Sequence, residues 1–512
     1  MDRLVLSLPV TDTAVQRPRT GGQPEAGSPR ATRSTDGRTP ARRYAWWIVA
    51  VALVIFSVVI VLAAGGRPGY DPYGWLVWGY QTWHASLNLG GAPSWKPFTY
   101  LFTVPYTLFG HYALWLWMTT AVAVSLAGPI FAGRIAYRVT AGPDRRWAAI
   151  AASVFAGLGL LGIQDYMHYV LSMQSDPMLV TVCLAAIDFH LSGHPRWAFV
   201  MLALGSLGRP EVWPFTGLYA IWAWRAIPAM RWLIGLGLLV IPALWFGIPE
   251  ITNHKPNIAG QLALKSPRQL HSNKVVGTID RFTALTYFPI ELAAIGAVVI
   301  ALIKRNRVVL TLTAAVVLWV VIEIAFTLHG FPGVPRYLFE AAGVVDVLAG
   351  IAVGWVLAEA PRLSAKLPRW SGIPVVVLLV ASLVPGALAR TRTEHRDIKH
   401  ERIRTTEINK LAAMISAVGG YRHIRACGRP VLNVEYVSVM AWYVHLNTGY
   451  IGYRPQFELS KTYPIVLFTA LPNGWAVHAY RSTPALQASC SNLTNALYVP
   501  TARHPHGVLI ER

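Results

Sequence analysis

Several apolar runs, the first at Tyr44–Ala64, reach the roughly 20 residues that an α-helix needs to cross a bilayer. Backbone groups in lipid must be satisfied within the spanning segment, so a chain that repeats such runs folds as a bundle of helices. Hydrophobic residues make up 54% of the 512 and charged residues 13%, the balance of an integral membrane protein. A net charge of +21 would suggest nucleic acid in a soluble chain. Here many basic residues fall in short loops between apolar runs, where they set topology, and no nucleic-acid partner is expected.

Arg42 and Arg43 precede the first run and hold the N-terminus inside. Residues 1–43, rich in Arg, Pro, Gly, Ser and Thr, read as a disordered basic cytoplasmic tail. The run that follows is too long for a signal peptide and lacks a small-residue cleavage site. Residues 44–388 then alternate as about eleven spans, ending with Gly372–Leu388. Two of them, Trp197–Gly208 and Val212–Trp224, are too short to cross alone and are separated by Arg209-Pro210-Glu211. Basic residues at both outer ends favour a hairpin over one broken helix. The loops Gly65–Gly110 and Pro249–Tyr287 fall outside; the second is polar and basic, which fits either an anionic partner or a solvated loop.

Residues 389–512 read as a small α/β domain outside the membrane. Apolar residues from Ile398 to Val418 recur at helical spacing before Gly419-Gly420. Strand-like runs follow at Val431–Val437, Pro464–Phe468, Trp475–Tyr480, Leu497–Pro500 and Val508–Ile510. Cys427 and Cys490, both in this exported segment, could form a disulfide, whereas Cys183 reads as a small hydrophobe. The fold class expected is thus an all-α polytopic membrane protein carrying a small extracytoplasmic α/β domain.

One stretch organises the candidate chemistry: Gly69-Tyr70-Asp71-Pro72-Tyr73-Gly74-Trp75, just past the first span. Asp71 is followed by Tyr73, Trp75, Trp78, Tyr80 and Trp83, which read as an interfacial aromatic ledge. Asp71 either does chemistry there or caps the interfacial helix. Topology gathers further polar groups on the same face: Lys96, Asp165, His168, Asp176, Arg209, Glu211, His254, Lys255, Arg336 and Tyr337. Carboxylates and cations converging at one membrane face suit transfer onto a hydroxyl with an anionic leaving group. A carboxylate takes the proton of the attacking hydroxyl and cations stabilise the departing phosphate. Phosphate loops, Gly-rich nucleotide turns, nucleophile elbows and zinc-binding His-Glu-x-x-His helices are all absent from the sequence.

In this order and on this face the motifs resemble the type-C glycosyltransferases, integral-membrane enzymes that use polyprenyl-phosphate sugars. Tyr70-Asp71-Pro72 stands where those families carry an acidic residue in the first outer loop. Ser94-Trp95-Lys96-Pro97-Phe98 is similar to a Lys-Pro-Pro-Leu element, with only its first Pro matched. Ser175-Asp176-Pro177, Gly208-Arg209-Pro210-Glu211-Val212 and Pro335-Arg336-Tyr337-Leu338 resemble three further elements. The first loop departs from the family in having one acidic residue where many members have a pair. The resemblance implies Asp71 as general base and Asp176 as a residue that orients the acceptor or helps hold a divalent ion, Mg2+ or Mn2+. It implies Arg336, Arg209 and Lys96 as holders of the lipid phosphate; Glu211, His254, Lys255 and Tyr337, gathered on the same face, are further substrate-binding candidates. The implied reaction is an inverting displacement from a polyprenyl-phosphate sugar onto an envelope glycan or glycolipid at the outer face of the plasma membrane.

Two other classes fit the same sequence. A transporter or flippase of a lipid-linked saccharide would need ionisable groups near mid-bilayer, where Asp188 and Glu323 are the candidates. A silent scaffold of the same fold would need none of the outer groups. The sugar, acceptor and linkage are not written in the sequence; mannose or arabinose is the first guess for a donor.

Overall fold

The computed structural model describes residues 40–91, 95–271, 273–360, 368, 370–471, 474–480, 490, 496–499 and 508–511. The chain divides into two units, Met1–Val49, whose described part is the start of a helix, and Ala50–Arg512. Residues 1–39 of the expected tail and Ser94 lie outside the described residues, whereas residues 40–43, expected to belong to the tail, open a helix.

The apolar runs fold as helices throughout. In order these are α1 (Pro40–Ala64), α2 (Tyr70–Trp83), α3 (Pro97–Thr107), α4 (Tyr112–Thr140), α5 (Arg146–Leu161), α6 (Tyr166–Leu171) and α7 (Asp176–Leu191). Next come α8 (Pro195–Gly208), α9 (Trp213–Ala226), α10 (Arg231–Pro242), α11 (Ile248–Asn253), α12 (Ile258–Leu264) and α13 (Lys274–Thr283). The membrane half closes with α14 (Phe288–Lys304), α15 (Arg307–His329), α16 (Phe339–Glu359) and α17 (Ile373–Ala417).

Among the described residues six stretches are long and apolar enough to cross a membrane: Tyr44–Ala64, Tyr112–Thr140, Pro228–Asn253, Arg307–His329, Pro335–Glu359 and Ile373–Ala417. The pair α13 and α14, bent by 95°, makes a seventh if it counts as one span. The remaining expected spans are α5, α7, α8 and α9, helices of 14 to 16 residues and so shorter than the hydrocarbon core. The two short helices α8 and α9 lie back to back. Ser206 Oγ and Thr216 Oγ1 are 2.7 Å apart, and Tyr219 OH donates to Pro195 O, so Arg209-Pro210-Glu211 forms the tip of a hairpin.

The centre of the bundle is α7 and α16. Most of α7 and the first seventeen residues of α16 are buried. A small residue lets α16 press against α5: a Cβ at Gly350 would sit 2.6 Å from the carbonyl oxygen of Ala152. Asp188, one of the two mid-span acids, is buried on α7 and receives Arg134 (2.9 and 3.1 Å) and Arg138 (2.9 Å) of α4.

Three expectations change. The rings of Tyr73, Trp75 and Trp78 are not a wet ledge: all three are buried, Trp75 edge-on to Trp117 of α4 and Trp78 edge-on to Trp95 just before α3, each at 5.4 Å, and Tyr73 beside Tyr443 in the C-terminal part of the chain. Burying a large ring is worth more than leaving it at an interface once two helices supply a cover. The loop Pro249–Tyr287 is largely helical, holding most of α11 and all of α12 and α13, the last capped by Asn273, which accepts from Val275 N and Val276 N. The run Val431–Val437 is a strand only at its start, and Val437–Val444 is a buried helix. A short continuous apolar run does not distinguish the two.

Helix α17 runs unbroken through residue 388, apolar and exposed up to Leu388, then charged, and it buries Ile408, Leu411, Met414 and Ile415 near its end. Gly419, at φ 98°, ends it in a conformation that glycine adopts freely. Beyond lie α18 (Gly420–Cys427), α19 (Val437–Val444), α20 (Pro455–Leu459) and a five-stranded sheet ordered β1 to β5. The strands are Arg429–Val431, Ile465–Leu471, Gly474–Tyr480, Ala496–Val499 and Val508–Glu511. β1 and β2 are parallel and the rest antiparallel, with Ile465 opposite Tyr480. A disulfide joins Cys427 to Cys490, across 63 residues.

Candidate active site

Five of the candidate residues adjoin a proline at the start of a helical segment: Asp71-Pro72, Lys96-Pro97, Asp176-Pro177, Arg209-Pro210 and Pro335-Arg336. Proline suits the first helical turn, where its missing N–H costs nothing, and it forces the preceding residue away from helical geometry. Lys96 (φ −140°, ψ 104°) and Arg209 (φ −148°, ψ 132°) are accordingly extended. Asp71 and Asp176 instead lie inside the first turns of α2 and α7, where the helix dipole favours a carboxylate. Asp71 makes no cap: the N-cap of α2 is Gly69, without a side-chain bond.

Asp176 is the hub. It is fully buried, and its Oδ1 has three cations around it. Arg209 hydrogen-bonds to it, Arg336 Nε stands at 3.8 Å and Lys96 Nζ at 3.9 Å. Lys96 also donates to Ser175 Oγ at 3.1 Å. Arg336 reaches the second carboxylate, its Nη2 lying 3.9 Å from Asp71 Oδ2. Burial pulls the Lys96 ammonium below the ordinary lysine range, partly offset by Asp176.

Arg209 is walled in, its side chain only 3% exposed. Besides Asp176 it faces Glu211 (3.7 Å) and Glu340 (3.4 Å), donates to Arg336 O at 3.2 Å, and lies over the Tyr337 ring at 4.3 Å. Little of its guanidinium is left for a ligand. Lys96 and Arg336 differ: their side chains are 13% and 15% exposed, and Arg336 Nε, though buried, has no hydrogen-bond acceptor. Asp71 is 22% exposed. The accessible edge of the cluster is therefore two cations and one carboxylate, backed by a buried carboxylate.

His254 and Lys255 are exposed, just past α11, and make no ion pair with this cluster; His254 has φ 50° as the residue that ends α11. Asp165 and His168 lie apart from it too, facing α17, where Asp165 feels Asp397 and Arg390. Glu211 lies against Arg209 and beside Glu323. Two members were not expected. Glu340, one helical turn past Arg336, is buried against Arg209, and the Tyr169 ring lies 5.5 Å under Arg336. The four-residue spacing from Arg336 to Glu340 is a readable signal; nothing in the sequence marks Tyr169.

Among the described residues no three His, Cys, Asp or Glu side chains are grouped as metal ligands. Three cations around Asp176 Oδ1 repel a further one, so the side chains present do not suit Mg2+ or Mn2+ at that carboxylate.

No protein-family model matches the sequence, and no curated protein matches it. Among solved structures the chain is similar to ArnT from Cupriavidus metallidurans bound to undecaprenyl phosphate, at 15% identity and TM-score 0.47 over 90% of this chain and 96% of that one. It is also similar to the apo oligosaccharyltransferase of Archaeoglobus fulgidus, at 11% identity and TM-score 0.46 over 82% of this chain and 66% of that one. The oligosaccharyltransferase AglB of the same organism, in complex with an inhibitory peptide and a dolichol-phosphate, gives 10% identity and TM-score 0.42 over 92% of this chain and 74% of that one. Similarities at this level say nothing by themselves of what the chain does.

Proposed function

We propose that this chain is a glycosyltransferase that moves a sugar from a polyprenyl-phosphate donor to an acceptor hydroxyl at the outer face of the membrane. The observation that carries this reading is the placement of two partly exposed cations beside an accessible carboxylate. Arg336 Nε lacks an acceptor, Lys96 and Arg336 stand 3.8–3.9 Å from Asp176, and Asp71 lies against the same Arg336. A phosphate placed between Lys96 and Arg336 gains charge-assisted hydrogen bonds, and the sugar beyond it comes to Asp71. The acceptor oxygen attacks the anomeric carbon from the side opposite the phosphate and inverts it. The electron pair of the breaking C–O bond goes to the phosphate oxygen, and the acceptor proton goes to Asp71. Arg209 braces the site by holding Asp176, and in this reading the cluster faces the outside. A mid-bilayer transport path has less support, because Asp188 is taken up by Arg134 and Arg138.

Binding of undecaprenyl phosphate to purified protein tests the donor half. Arg336→Ala should weaken it at least tenfold, about 1.4 kcal/mol, a modest share of a charge-assisted pair; equal binding by both proteins removes the phosphate from this site. The same titration has a pH signature. Lys96 holds its charge below its lowered pKa and loses it as pH rises through that value, so affinity falls at a lower pH than a free lysine would give. Lys96→Arg should move that fall upward, since guanidinium stays charged. A fall at the same pH in both proteins would assign it to another group.

A further inference from the structure

Helix α13 carries an apolar face turned away from the protein. Val275, Val276 and Ile279 are exposed. At 3.6 residues per turn they fall within about 100° of its circumference, with exposed Thr283 between them. The other side, Lys274, Thr278, Arg281 and Phe282, is buried or half-buried. An apolar stripe on a short charged helix is the pattern of one that lies in a membrane surface. The bend agrees with that pattern. α13 meets α14 at 95°, and α14 is apolar with Phe288, Leu292 and Ile295 exposed. With α14 set into the membrane, α13 lies along its surface. Lys274, Asp280 and Arg281 keep α13 out of the hydrocarbon, so it does not continue the span.

Positive charge flanks the stripe. From Glu250 to Thr283 the chain carries Lys255, Lys265, Arg268, Lys274 and Arg281 against only Glu250 and Asp280. Lys265 and Arg268, between α12 and α13, are exposed and make no ion pair among the described residues. The inward side of α13 grips the approach to the candidate site. Arg281 donates to Gly333 O, Thr278 Oγ1 lies 3.4 Å from Thr327 Oγ1, and Lys274 Nζ lies 3.4 Å from Leu328 O. Gly333 stands three residues before Arg336. A Cβ there would sit 2.7 Å from Thr327 Oγ1, so the segment is closely seated.

We infer that α13 is a docking surface for an anionic lipid leaflet: Val275, Val276 and Ile279 sink into the interface, Lys265 and Arg268 meet the head-group phosphates, and the docked helix steadies residues 327–335 ahead of Arg336. The leaflet is the one at the Arg336 end of the bundle, since α13 packs on α15 and on residues 335–338. Apolar side chains alone would enter any bilayer surface; the exposed cations add a preference for negative head groups. The docking stands apart from the transferase reading, and only the use made of Arg336 rests on it.

Lipid quenching in nanodiscs that hold one copy of the full chain tests it without turnover. A fluorophore is placed on Thr283→Cys in a Cys183→Ala background, which leaves the Cys427–Cys490 disulfide in place. The lipids carry a nitroxide just below the head group. Replacing part of the phosphatidylcholine by phosphatidylglycerol should raise the quenching at least twofold. Lys265→Gln with Arg268→Gln should remove that rise and leave the phosphatidylcholine value as it was, which reports an intact fold. Val276→Ser with Ile279→Ser should lower the quenching in both lipids. Hydrogen exchange at residues 327–335 should slow at least threefold with phosphatidylglycerol in the wild type, and not in Arg281→Ala. Equal quenching of the wild type in the two lipids, or none in either, would overturn the inference, as would quenching that falls when discs hold two copies, which gives the stripe to a second chain. Exchange that ignores the lipid would overturn the link to Arg336. A chain that docks in this way and transfers no sugar would sink the transferase reading and keep the docking surface.

Discussion

Asp71→Asn should lose at least ~100-fold in sugar transfer, the lower range for removing a general base, while the protein folds and binds undecaprenyl phosphate as before. The amide keeps the shape of the side chain and its place in the first turn of α2, but it cannot take the acceptor proton. Asp71 is 22% exposed and 3.9 Å from Arg336, so its charge contributes modestly to the fold. The sharp outcome is a rate that collapses with donor affinity within about twofold of wild type, the mark of a group acting in the transition state. If affinity and rate fall together, Asp71 positions Arg336 and the proton goes elsewhere. Glu211 and Asp176 are poor heirs to that task, because both are turned to Arg209 inside the protein.

Asp176→Ala should do the opposite and damage the protein before its chemistry. The carboxylate is fully buried and is the one counter-ion shared by Lys96, Arg209 and Arg336. Truncating one partner of a buried ion pair typically costs about 3–5 kcal/mol, since the remaining charges stay in a poor solvent. We expect a clear drop in the thermal denaturation midpoint together with loss of undecaprenyl phosphate binding. Asp176→Asn, which can still accept from Arg209, should recover much of the stability but not the affinity. A variant that denatures at the wild-type temperature would show that the three cations do not depend on this hub.

How much of this could be read in advance follows from the kind of signal each part leaves. The five proline-flanked residues were legible because a charge next to a helix-starting proline fixes both backbone and depth. Their convergence was not, since which helix ends meet depends on packing; hence Arg209 turned out walled in and His254 and Lys255 stand apart. Tyr169 and Glu340 left weak marks because one is an ordinary aromatic of the short helix α6 and the other opens a mostly apolar helix. Span ends failed where continuity overrode composition: α17 carries its helix from an apolar stretch into a charged one through residue 388 with no break. The aromatic run reads as interfacial because tertiary cover leaves no mark in it: Trp117, Trp95 and Tyr443 take Trp75, Trp78 and Tyr73 out of solvent.

The central claim is that this chain moves sugar from a lipid phosphate using Asp71. We would therefore reconstitute the protein in lipid with radiolabelled polyprenyl-phosphate mannose and, separately, arabinose, add an envelope lipid and glycan extract, and compare wild type with Asp71→Asn. The account predicts label leaving at least one donor for the acceptor fraction with wild type, and at least ~100-fold less with the variant. Donor that binds yet keeps its label with wild type, or transfer that survives the substitution, would contradict it.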